Sequence, residues 1–137
     1  MTIGELVREP ALVLAFVYAL ATAAVVVFQV GVAAGKPWGP YTMGGRYSGR
    51  LPALMRVAAL AQAVFLSVLA AIGLDAAGVG DLGWVATVAW LPWIAVVVSG
   101  ASLVLNASSS SEAEKRTWVP VAIVLLVSSV AVALLTA

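Results

Sequence analysis

"PALVLAFVYALATAAVVVFQVGVAA", residues 10–34, carries no charge and one amide. A hydrocarbon core about 30 Å thick takes about 20 apolar residues in a helix, so this stretch is long enough to cross a bilayer. Three further apolar runs follow at about 52–74, 84–105 and 118–137. Only short connections remain, and residues 1–137 read as a single transmembrane domain. Composition agrees: the chain is 64% hydrophobic and 9% charged, against about a quarter charged in soluble domains. The expected fold is all-α, an integral membrane four-helix bundle with antiparallel, up-down topology.

A secretory signal peptide is the rival reading of the first run. It fits poorly, because Glu5 and Glu9 accompany Arg8 ahead of the run and the run is too long. The chain has no cysteine and no histidine. Disulfides, thiolate metal sites, ordinary haem ligation and histidine acid–base chemistry are therefore excluded.

Charge is distributed unevenly. Lys36, Arg46, Arg50 and Arg56 surround the first connection, and Lys115 and Arg116 lie in the third. The second, "DAAGVGDLG", has Asp75 and Asp81 and no cation. Connections one and three share a side, and the positive-inside rule places them in the cytoplasm. Both termini are then extracytoplasmic. The cation asymmetry also opposes insertion in both orientations.

Local signals fill in the elements. Thr2 and Glu5 have capping-box spacing, so "IGELVRE" is expected as a short surface helix, with Pro10 opening the first span. Pro52 does the same for the second span. Pro92 falls inside the third, where a kink is expected. Ser111 and Glu114 form a second capping box, and a helix from about Glu112 should pass through Trp118 into the last span, bent by Pro120 at the membrane boundary. Trp84 and Trp118 sit at expected water boundaries.

Each span carries small or polar residues at helical spacing. The first has Ala11, Ala15, Tyr18, Thr22 and Gln29; the second Ala59, Ala63, Ser67 and Ala70. The third has Ala95, Ser99, Ser102 and Asn106; the fourth Ala122, Ser129, Ala133 and Thr136. Such stripes let helix backbones approach in lipid, with hydroxyls bonding across the seam. The alternative is a hydroxyl-lined pathway completed by oligomerisation.

No carboxylate lies within a span, whereas coupled transport usually needs an intramembrane ionisable group. Small multidrug transporters share this length and helix count but depend on a glutamate in the first span, which is missing here. Nor does any span hold a histidine or lysine to activate a serine, so no enzyme, cofactor or metal is expected. Asp75 and Asp81 read as solvated acids rather than a cation site.

Residues 35–56, "GKPWGPYTMGGRYSGRLPALMR", concentrate the remaining chemistry: four of the seven cations, five glycines, three prolines and no acid. Arg50 and Arg56 flank the N-terminus of the second helix, which favours an anion. Gly44, Gly45 and Gly49 would let the loop fold back, and Lys36 and Arg46 could close over the same point. A phosphate fits, most simply that of an anionic lipid. The competing reading is a topology signal with Arg56 snorkelling to the interface.

"PWG", "GGR", the G-R-L-P run with Arg56, and "SSEAEKRTWVPVA" resemble a group of small four-helix membrane proteins common in actinobacteria. The resemblance covers most of the chain, with its specific residues in the two basic connections. It implies four helices in a bacterial plasma membrane and carries no activity over. The expected function is a non-enzymatic multi-pass protein whose basic loop binds anionic lipid or a partner, as a homo-oligomer or an accessory subunit. A homo-oligomeric channel or passive transporter is the alternative. No nucleic-acid partner is expected.

Overall fold

The computed structural model describes residues 2–80 and 82–137. The described residues contain helices and no strand. The helices are α1 (Ile3–Ala33), α2 (Ala53–Ala76), the single turn α3 (Trp84–Thr87), α4 (Pro92–Ala107) and α5 (Glu112–Leu135). Two short 3-10 turns, Gly39–Tyr41 and Met43–Gly45, shape the first connection. The helices α1, α2 and α5 are long and apolar enough to cross a membrane, and α4 is a shorter apolar helix.

The separate surface helix expected before Pro10 is part of α1, which runs unbroken for 31 residues with Pro10 inside it. The capping box forms as anticipated: Thr2 Oγ1 accepts from the Glu5 N–H at 3.2 Å and Glu5 Oε2 from the Thr2 N–H at 2.7 Å. Proline forfeits one backbone bond there, but in an apolar segment the remaining polar groups have no better partner than the helix itself.

The third apolar run departs further from expectation. Val88 adopts an extended conformation (φ −130°, ψ 91°) and ends α3, and α4 begins afresh at Pro92. Proline clashes with the carbonyl four residues back and is preferred in a first turn. The result is a break where a kink was expected. It leaves α4 at 16 residues, about 24 Å long.

Packing fixes the helix directions. Ala15 clusters with Ala77 and Val132, and Tyr18 with Leu69, Ala95 and Leu125. At the other end Val32 clusters with Leu51 and Ala59. Position rises along α1 as it falls along α2 and α5, so α1 runs antiparallel to both. Ala11, Ala15, Tyr18, Thr22 and Gln29 are all buried on one face of α1. On α2 the buried set is Ala59, Ala63, Leu69 and Ile72. Ser67 is exposed and returns its hydroxyl to Ala63 O at 2.8 Å, so the α2 stripe is misplaced by part of a turn beyond Ala63.

Candidate functional site

The first connection brings the end of α1 against the start of α2. Arg56, in the first turns of α2, donates Nε–H to Ala33 O at 3.0 Å. The last turn of α1 has no basic residue, so Arg56 supplies the positive charge that a helix C-terminus favours. Gly35 follows with φ +98°. A Cβ on Gly35 would lie 3.1 Å from Arg50 Nε and 3.4 Å from Arg56 Nη2. Two guanidiniums thus close on one bare Cα, which glycine permits by both its φ and its missing side chain.

No carboxylate answers them: among the described residues the ion pair is Lys115–Glu112, at 3.3 Å within α5. Beside them the start of α2 has Pro52 at its cap and no side-chain cap, leaving early N–H groups without an intrahelical partner. Lys36 and Arg46 are exposed and make no side-chain hydrogen bond or ion pair with described residues. The atoms nearest a Cβ at Gly35 belong to Arg50 and Arg56, and Arg46 is not among them.

The loop does not fold back through Gly44 and Gly45 towards these arginines. Both glycines have positive φ, but they turn the chain onto the start of α5. The Gly44 N–H donates to Glu114 Oε2 at 2.8 Å, and Gly45 packs on Ser111, which a Cβ would meet at 2.8 Å. Ser111 Oγ–H donates to Pro40 O, and Trp118 Nε1–H to Tyr41 O at 2.9 Å. Phe28 stacks on Trp38 at 5.6 Å and meets Trp118 edge-on at 4.8 Å. The two basic connections are clasped together.

The clasp also alters the second capping box. Ser111 Oγ accepts the Glu114 N–H at 3.2 Å. The Glu114 carboxylate takes the Gly44 N–H and the Ser109 hydroxyl (2.9 Å) instead of returning to Ser111. Sequence reasoning missed Glu114 as a loop anchor because its partner is a backbone N–H 70 residues away.

Within the bundle, most polar stripe residues bond to their own helix. Ser129 Oγ–H donates to Leu126 O at 3.0 Å, and Asn106 Nδ2 to Ser102 O at 2.8 Å. A cross-helix bond joins Gln29 Nε2 to Gln62 Oε1 at 3.0 Å. The cavity lined by Tyr18, Leu69, Pro92, Ala95 and Ser129 measures about 10 Å³, at the lower limit for a single water. Thr22 Oγ1 and Gln29 Oε1 are buried without a partner.

At the opposite end Asp75 is not a free solvated acid. It accepts the Gly83 N–H at 3.2 Å and the Val85 N–H at 2.8 Å, capping α3. Asp81 lies outside the described residues, and among those described no cluster of acids could hold a metal.

These features define an all-α chain with three helices long and apolar enough to cross a membrane and with two clasped basic connections. Compared with known protein families, curated proteins and solved structures, the chain matches none.

Proposed function

We propose that the chain is a non-enzymatic, multi-pass protein of the bacterial plasma membrane whose basic loop binds the phosphate of an anionic lipid through Arg50 and Arg56. In this reading α3 and α4 together make the fourth crossing. The bundle is up-down, both termini are extracytoplasmic, and the clasped loops face the cytoplasm. The convergence of two guanidiniums over Gly35 without a carboxylate carries the proposal. An anion placed between the two guanidiniums would offset their mutual repulsion, and guanidinium forks match phosphate oxygens. Loop clasping supports it, because a pre-ordered site loses less entropy on binding. The interior cavity of about 10 Å³ speaks against a solute path within one copy. The same reading includes assembly as a homo-oligomer or as an accessory subunit of a membrane complex, the latter docking through the basic surface.

Arg50 is the sharper residue to test, since Arg56 is also engaged with Ala33 O. In detergent, phosphatidylglycerol should raise the melting temperature of wild type by several degrees, and phosphatidylcholine should not. Arg50→Gln should keep the lipid-free melting temperature within about 2 °C, as an exposed substitution does, and lose at least half of the phosphatidylglycerol shift. An unchanged shift in Arg50→Gln would leave the loop as a topology signal.

A further inference from the structure

One face of α2 meets two different surroundings. Positions 58, 62, 65, 69 and 72 recur at helical spacing and share that face. Leu69 and Ile72 are buried in a cluster with Val85, Leu91, Ile94 and Ala95, supplied by α3 and the start of α4. Ala58, Gln62 and Phe65 are exposed. These covering elements meet the face towards the C-terminal end of α2, and among the described residues nothing covers Ala58, Gln62 and Phe65.

Gln62 makes that gap chemically specific. It lies about 14 Å along α2 from Ala53, near the middle of a hydrocarbon core about 30 Å thick. Its Oε1 accepts from Gln29 Nε2 at 3.0 Å, and its own Nε2 has no partner among the described residues. Gln29 beside it is 7% exposed, and its Oε1 is also unpartnered. Lipid tails offer neither donors nor acceptors, so an amide facing them keeps its full desolvation cost.

We propose that a second copy of this chain docks on the exposed half of this α2 face, with the Gln62 amides paired across a two-fold axis along the membrane normal. An amide is both donor and acceptor, so a two-fold axis supplies the matching group automatically. Each Gln62 Nε2–H donates to Oε1 of Gln62 of the partner subunit, whose second lone pair already accepts from its own Gln29. Ala58 and Ala61 place no bulk beside the crossing point, which lets the two backbones approach. An acyl chain could fill the same space but would leave Gln62 Nε2 without an acceptor. The inference rests on the membrane-spanning part of the proposed function and is independent of the anion site.

The chain has no cysteine, so single-cysteine variants report directly. The variants are placed in phosphatidylcholine vesicles, where the anion site plays no part, and treated with copper phenanthroline. Ala58→Cys should form a disulfide dimer in most of the protein. Val27→Cys, on α1 and 69% exposed, should not. Adding Gln62→Leu to Ala58→Cys should cut the dimer fraction about fivefold, from the loss of interhelical hydrogen bonds. Gln29→Leu breaks the same intramolecular bond but keeps Gln62, so its dimer should persist. Cross-linking at Ala58 no greater than at Val27 would overturn the proposal, as would dimer surviving Gln62→Leu. Equal loss in Gln29→Leu would trace the effect to folding and overturn it too.

Discussion

Gly39→Ala should make trypsin cut the basic loop at Arg46 or Arg50 at least about tenfold faster than in wild type, since cleavage follows the population of the opened segment. A Cβ at Gly39 would stand 2.0 Å from Tyr47 O and 2.5 Å from Gly49 O, both backbone atoms. Neither can rotate away as a side chain could. The Gly39 N–H also bonds Gly49 O at 2.9 Å, so the two strands of the loop must separate to admit a methyl group. Overpacking of this kind costs about 1–3 kcal/mol, which corresponds to roughly 5- to 150-fold in the open population. Gly49→Ala is the internal control, because a Cβ there meets nothing within 4 Å. It should digest within about twofold of wild type. Equal rates for the two variants would mean that the loop is not held by this contact.

An all-or-none effect is expected from labelling the two ends of the bundle. Leu82 lies beyond the acidic end of α2 and is 47% exposed; Ser110 lies in the clasped basic connection and is exposed. In intact cells an impermeant maleimide should modify Leu82→Cys and leave Ser110→Cys untouched until the cells are permeabilised. The cation asymmetry sets this direction. Reaction at Ser110→Cys in intact cells would invert the orientation and remove the anionic inner leaflet as the source of the bound lipid.

The face of α1 was readable because one periodicity governs it from Ala11 to Gln29 and the helix touches protein along that whole length. On α2 the same reasoning placed Ser67 in a seam, yet Ser67 is exposed while Leu69 and Ile72 are buried. The cause is non-local. The break before Pro92 shortens α4, so the cover over α2 changes along its length, which no periodicity within α2 can report. The same holds for the basic loop. Its charges could be located in the sequence, but their direction depends on backbone partners. Arg56 turns to Ala33 O, and Gly44 donates to Glu114. Residue type announced a cap at Ser111, and the carboxylate expected to complete it was taken by a glycine N–H far along the chain. Composition foretold the helices, whereas the clasp is a property of the folded backbone.

If Arg50 and Arg56 together recognise a lipid phosphate, the bound lipid can be weighed directly. Wild type released from micelles containing equal amounts of phosphatidylglycerol and phosphatidylcholine is measured by native mass spectrometry, beside Arg50→Gln combined with Arg56→Gln. Wild type should carry phosphatidylglycerol in about fivefold or greater excess, from charge-assisted hydrogen bonds to the guanidiniums. The double variant should carry the two lipids alike. A double variant that kept the wild-type preference would rule out lipid recognition by these two arginines.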